Sequence, residues 1–215
     1  MTFTARALLF DNDGTLVSSM ASVDRCWRRW AAEEGLGAAD FARVALHGRP
    51  AAEIVADLLP AARVPAALAR IHELEAADVA GGVELLPGTK DLLAALPAGS
   101  WAVVTSATRP LAEARLREAG LAVPELVAAE DITRGKPDPE PFLLAARRLG
   151  VAPADCVVFE DAPAGLAAGR AAGMRTVALT TTHPAEELVA DLVVPDLSAV
   201  SVQVKAGVLE VGAGR

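Results

Sequence analysis

Six short apolar runs punctuate the chain: RALLF at 6–10, WAVVT at 101–105, ELVAA at 125–129, CVVFE at 156–160, RTVAL at 175–179 and DLVVP at 191–195. Each is continuous rather than alternating. That is the signature of strands buried on both faces of a parallel sheet. Helix-like stretches lie between most of them, at about 109–119, 138–149, 163–172 and 184–190. Pro110, Pro139 or Pro141, Pro163 and Pro184 stand near the helix starts, where a missing N–H costs little. Gly120, Gly150 and Gly173 follow the ends, where a left-handed residue closes a helix. Strand–helix alternation of this kind predicts an α/β sheet with helices on both faces.

Residues 17–80 break the rhythm. MASVDRCWRRWAAEEG, AADFARVALHG, PAAEIVADLLP and VPAALARIHELEAADVAGG all read as helices, with no strand among them. The first strand is thus expected to be followed by about four helices before the α/β pattern resumes near LLPGTKDLLAAL. This predicts a core made of 1–16 and 84–215, with a helical insertion over 17–83 sitting as a lid. Trp27 and Trp30, one turn apart in RCWRRW, are expected to pack the insertion's own core. The tail VSVQVKAGVLEVG (200–212) alternates enough for one or two edge strands.

Composition narrows the picture. With 53% hydrophobic residues over 215, a sizeable core is available. The net charge of −8 leaves no basic field for nucleic acid. Two cysteines far apart, Cys26 and Cys156, are no disulfide framework and suit a reducing cytoplasm. The opening MTFTARALLF lacks the features of a secretory leader, and no run reaches the roughly 18 apolar residues of a membrane span. The expectation is a cytoplasmic protein without membrane or nucleic-acid partners, a monomer or weak homodimer.

The polar residues gather at predicted strand ends, where doubly wound sheets bind ligands. The first strand ends in Asp11 and Asp13, WAVVT in Thr105 and Ser106, and CVVFE in Glu160 and Asp161. The run RGKPDPE places Lys136 after the third; it is one of only three lysines in an arginine-rich chain. Singly, each has a bland reading as a loop carboxylate, a helix cap or a solvated lysine. Jointly, and in order, they make a rim of carboxylates with hydroxyls and one ammonium. Such a rim suits a hard, oxygen-loving cation such as Mg²⁺. One carboxylate can attack phosphorus, a second can move protons, and the lysine and hydroxyl can hold the transferring group.

FDNDGT, VVTSATR, GKPDPEPF and VVFEDAPAGLAAGRAAG resemble, in order, the four motifs of the haloacid dehalogenase superfamily in its phosphatase branch. The resemblance implies a Rossmann-like parallel sheet with a four-helix cap inserted after the first motif. It implies Asp11 as nucleophile and Asp13 as general acid and base, with the Asp13 carbonyl also reaching Mg²⁺. Thr105 and Lys136 would hold the phosphoryl group, helped by the Ser106 N–H. Asp161 would ligate Mg²⁺ with Asp11, supported by Glu160. An aspartate at position 13 points to phosphoryl transfer, since a halide leaving group needs no proton. Val23 stands where mutases of the β-phosphoglucomutase kind usually carry a histidine, which favours hydrolysis over that alternative. A non-catalytic phospho-aspartate switch, like a receiver domain, is a third reading; the insertion and Asp13 count against it. The motif surroundings look most like glycerol-phosphate and 2-deoxyglucose-6-phosphate phosphatases, implying a small sugar or polyol phosphate. His47 and Arg49 fall in the segment that would face substrate from the cap, and Arg109 is a further candidate to bind it.

Overall fold

The computed structural model describes residues 2–41, 49–205 and 207–214. Strand β1 (Thr2–Ala5) leads through Arg6 into β2 (Ala7–Phe10). The insertion begins with the two-residue strand β3 (Val17–Ser18) and continues through α1 (Met20–Glu34), α2 (Ala38–Phe41), α3 (Ala51–Leu58) and α4 (Val64–Ala77). Strand β4 (Glu84–Leu85) closes it by pairing antiparallel with β3. Then follow α5 (Thr89–Ala94), β5 (Trp101–Val104), α6 (Arg109–Glu118) and β6 (Leu126–Val127). The rest is α7 (Glu140–Leu149), β7 (Cys156–Glu160), α8 (Pro163–Ala171), β8 (Arg175–Leu179), β9 (Leu192–Val194), β10 (Val200–Lys205) and β11 (Val208–Ala213).

The main sheet has the order β6-β5-β2-β7-β8-β9, and every pairing in it is parallel. From β2 the chain builds outward through β5 and β6, then returns to build the other side from β7. The strand order therefore reverses at β2, and a crevice opens beyond its carboxyl end. Alternation along β2 feeds two cores. Leu8 and Phe10 face a layer with Trp101, Val103, Val157 and Phe159, covered by Leu92 of α5 and Leu111 of α6. Ala7 and Leu9 face the opposite layer with Val104 and Val158, covered by Phe142 and Ala145 of α7. Phe10 stacks on Phe159 at 4.8 Å between ring centroids, which locks β2 to β7 one residue before the polar rim begins.

The insertion has an apolar core of its own, built from Trp27, Trp30, Ile54, Val55, Ile71 and Leu74. The two tryptophans pack there edge to face, 5.2 Å apart, as their spacing predicts. The Trp30 indole N–H donates to the Ala67 carbonyl at 2.8 Å, so this fully buried ring leaves its polar atom satisfied.

Several elements differ from the sequence expectation. Val17–Ser18 is extended, because pairing with Glu84–Leu85 ties the two ends of the insertion together. The helix expected at 184–190 is a single 3₁₀ turn, Ala185–Glu187, since the chain must straighten within a few residues to reach β9. The strand expected at 125–129 shrinks to Leu126–Val127 at the sheet edge. Strand β1 was not expected at all. It alternates exposed Thr2 and Thr4 with buried Phe3 and Ala5, and joins β11 and β10 in a separate antiparallel sheet. Among the described residues no helix is long and apolar enough to cross a membrane.

Trp30→Ala is expected to destabilise the protein by about 3–5 kcal/mol, the cost of emptying a large aromatic site. Trp30→Phe is expected to cost much less. Urea unfolding midpoints for both variants check this.

Candidate active site

The rim at the carboxyl end of the sheet is organised around one buried ammonium. Lys136 is 1% exposed. Its Nζ donates to Asp11 Oδ1 at 2.6 Å, to Glu160 Oε1 at 2.7 Å and to the Val104 carbonyl at 2.9 Å. These acceptors stand at or just past the ends of β2, β7 and β5, three adjacent strands. Burial works against the Lys136 charge, but the carboxylates of Asp11 and Glu160 more than offset it, so its pKa is raised. Glu160 is fully engaged: its Oε2 also accepts the backbone N–H groups of Asp161 and Ala162, each at 3.0 Å. Gly165 permits this, since a Cβ there would overlap the Glu160 carboxylate.

Asp161 is held from both sides. Thr15 Oγ1 donates to its Oδ1 at 3.3 Å and the Thr182 hydroxyl donates to Oδ2. Gly14, at φ +90°, lets the loop after β2 pass directly against this carboxylate; a side chain there would collide with it and strain the backbone. Asp13 lies across the crevice. Its Oδ1 accepts from Ser19 Oγ at 2.5 Å, and its Oδ2 from Asn12 Nδ2 at 3.2 Å. Arg115 Nη1, from α6, stands 3.0 Å from Asp13 Oδ2.

The site carries more buried negative charge than Lys136 can balance. Burial pushes the Asp11 carboxyl up to about 7; Lys136 pulls it down and Glu160 adds to the rise. Burial, then Glu160 and Asp11, hold Asp161 well above the ordinary carboxylate range. Oxygens of Asp11, Glu160 and Asp161 lie within 4.8 Å of one another, all three residues being buried. An all-oxygen donor set with surplus negative charge fits a hard divalent cation. Because Glu160 spends both oxygens on Lys136 and the backbone, Asp11 and Asp161 are the direct donors that this arrangement leaves available.

A cavity opens between the sheet and the insertion. Asp11, Asp13, Thr105, Ser106 and Asp161 line its floor; Met20, Val23, Trp27, Ile54 and His72 form its roof and walls. Thr105 Oγ1 accepts the Ala107 N–H at 3.1 Å, which orients its hydroxyl. Arg49 lines the cavity as well, with its guanidinium 2.9 Å from Asp57 and 3.6 Å from Glu53. His47 lies outside the described residues. Arg109 is not brought to the cavity: it binds Asp131 at 2.5 Å and the Leu126 carbonyl at 3.1 Å.

The pattern of the haloacid dehalogenase-like hydrolases matches residues 5–173, most of the chain, including Asp11, Asp13, Thr105, Lys136, Glu160 and Asp161. The chain belongs to the haloacid dehalogenase-like hydrolases. It is 40% identical over 204 residues to hexitol phosphatase A of Escherichia coli K12, covering 92% of this chain and 94% of that one. It is 32% identical over 197 residues to glycerol-1-phosphate phosphohydrolase 2 of Saccharomyces cerevisiae, covering 85% of this chain and 77% of that one. A hydrolase crystal structure from Pseudomonas syringae shares the fold, with a TM-score of 0.78 at 23% identity over 89% of this chain and 94% of that one.

In this haloacid dehalogenase-like hydrolase the site contacts of Ser19, Thr15, Thr182, Glu75 and Arg115 go beyond what the sequence predicts. The last two did leave a trace. On α6 the buried positions are Leu111, Ala112, Arg115 and Leu116, so a guanidinium occupies an apolar stripe. On α4 they are Ala67, Ile71, Leu74 and Glu75, and a carboxylate does the same.

Lys136→Met is expected to cost roughly 3–5 kcal/mol at alkaline pH, because it leaves buried carboxylates unpaired. The penalty belongs to the charged carboxylates. Lys136 pulls the Asp11 pKa down, so its loss raises that pKa above the wild-type value of about 7. The penalty is therefore fully present only above the variant's Asp11 pKa, shrinks as the pH falls from there to about 7, and levels off below. Urea unfolding of metal-free wild type and variant from about pH 9.5 to about pH 5.5 measures the difference.

Proposed function

We propose that this protein is a Mg²⁺-dependent phosphatase acting on a small sugar or polyol phosphate through a phosphorylated Asp11. The observation that carries the reading is the Asp11 carboxylate, held 2.6 Å from Lys136 at the strand-order reversal and facing a cavity that also exposes Asp13. Both curated relatives named above are phosphatases of polyol phosphates, which supports the substrate class.

Asp11 attacks phosphorus in line with the ester oxygen. The P–O bond to the leaving alcohol breaks as the bond to the carboxylate forms. Asp13 gives its proton to that oxygen, releasing a neutral alcohol. Asp13, now a carboxylate, takes a proton from water as the water oxygen attacks phosphorus; phosphate departs and the Asp11 carboxylate is restored. Lys136 favours the ionised form of Asp11 and orients it, and shares the charge of the transferring oxygens with Thr105 and the Ser106 N–H. Asp11, Asp161 and the Asp13 carbonyl would hold Mg²⁺, which when bound neutralises phosphoryl charge. The helices of residues 17–83 act as the cap. They cover the leaving group and exclude water while the β3–β4 neck lets them open. Arg49 on the cavity wall is placed to hydrogen-bond sugar hydroxyls. Val23 lines the cavity where a mutase would present a histidine, and its inert side chain favours transfer to water.

Phosphate release from a panel of hexitol, glycerol and deoxysugar phosphates tests this reading. Activity is expected to require Mg²⁺, to vanish with EDTA, and to vanish in Asp11→Asn. Asp13→Asn is expected to lower the rate on alkyl phosphates about 10²–10⁴-fold, the usual scale of general acid–base help. Full activity in EDTA or in Asp11→Asn contradicts the mechanism.

A further inference from the structure

Arg115 is a charged side chain with almost no access to water, 4% exposed, on the buried face of α6. The groups that balance it are two carboxylates from different parts of the molecule. Asp13 Oδ2 lies 3.0 Å from Nη1, and Glu75 Oε1 of α4 lies 3.7 Å from Nη2. Glu75 is itself buried, 7% exposed, and bonds the indole of Trp27. Thus a continuous polar chain runs from α1 in the insertion, through α4, to α6 of the core and on to Asp13. The second Asp13 oxygen is held by Ser19, the residue just before α1. Beside the local Asn12 amide on Oδ2, each oxygen of Asp13 is therefore held by a group, Ser19 or Arg115, whose own place depends on how the insertion sits.

The chain is not fully closed. Arg115 Nε and Nη2 are buried without a hydrogen-bond partner. A buried guanidinium in that state is costly, and the Glu75 carboxylate stands across from Nη2. From 3.7 Å, an approach of under about 1 Å would bring that pair to ordinary hydrogen-bond distance. A small inward movement of α4 supplies it.

We propose that Glu75 and Arg115 are positioning residues for Asp13: when α4 seats against α6, Glu75 fixes Arg115, and Arg115 fixes the Asp13 carboxyl for proton exchange with the leaving oxygen. This rests on the reading of Asp13 as the acid and base. Its consequence is that proton transfer is competent only when the helices over the cavity are seated, which ties chemistry to exclusion of water. Glu75 and Arg115 act through Asp13 and touch no reacting atom.

The test exploits leaving groups. p-Nitrophenolate departs without a proton, whereas an alkoxide needs one. The ratio kcat/KM reports the step up to formation of phosphorylated Asp11, so it isolates the acid. Wild type, Glu75→Gln, Arg115→Lys, Asp13→Asn and the Asp13→Asn/Glu75→Gln double variant are assayed with p-nitrophenyl phosphate and glycerol 1-phosphate. Glu75→Gln is expected to lower kcat/KM about 10–100-fold for the alkyl ester, within the range of acid help, and several times less for the aryl ester. In the Asp13→Asn background Glu75→Gln is expected to add no further selective loss. Equal losses on both esters in Glu75→Gln, or a loss that persists undiminished without Asp13, overturn the proposal. Glu75→Gln keeps shape and packing, so the test stands even where Arg115→Lys fails to fold. If Asp13→Asn itself loses both esters equally, the acid–base reading falls and takes this proposal with it; selective loss in Asp13→Asn with none in Glu75→Gln overturns the proposal alone.

Discussion

A lysine ammonium taken out of water is among the most expensive groups a protein can bury. Here that cost is offset by three acceptors around Lys136, one from each of three neighbouring strands: Asp11 after β2, Val104 in β5 and Glu160 in β7. The same contacts that stabilise the charge thereby fix the carboxyl ends of those strands relative to one another. Asp11 is presented to the crevice already oriented, and Glu160 is spent on the lysine and on the N–H groups that open α8. With Glu160 so occupied, the remaining carboxylates, Asp11 and Asp161, are left short of positive charge. The chemistry proposed for the site follows from that shortage, which a divalent cation and then the transferring phosphoryl group answer in turn.

The molecule keeps the sheet and the helices over the cavity on separate apolar cores. The six-stranded sheet is buried on both faces, and its central strands carry stacked aromatic rings right up to the polar rim. The helices over the cavity have their own apolar core around Trp30, and β3 and β4 join them to the sheet through only two paired residues per strand. Firm placement of Asp11 and Lys136 beneath helices with a core of their own suits a reaction in which substrate must enter and water must be excluded. The Arg115 pairs with Asp13 and Glu75 cross the seam between these parts.

The sheet strands and the rim were legible in the sequence because their physics is local. Continuous apolar runs can only be buried strands or buried helix segments, and length decided between them. Asp11, Asp13, Thr105 and Asp161 come at or just past strand ends, so locating the strands located most of the chemistry; Lys136 lies in the loop between β6 and α7 and was legible from its run GKPDPE. Strand β1 was harder: Thr2–Ala5 alternates cleanly, but the run continues through Arg6 into β2 and reads as one element. The two-residue β3 has no periodicity to detect and exists only through its pairing with β4. Arg109, the last residue of VVTSATR, looked like a site residue, yet Asp131 and the Leu126 carbonyl draw it away from the cavity, beside β6. Arg115 and Glu75 lie 40 residues apart, and nothing local announces that two misplaced charges on two helices meet; only the three-dimensional packing of α4 on α6 does so.

The central claim is a covalent bond between phosphorus and the Asp11 carboxylate. Borohydride reduces an acyl phosphate to an alcohol and leaves free carboxylates untouched. Reduction during turnover, followed by proteolysis and fragmentation mass spectrometry, therefore marks the residue that carried phosphate. The expected result is reduction at residue 11 alone, dependent on substrate. Reduction at another residue, or none during sustained turnover, would contradict the account.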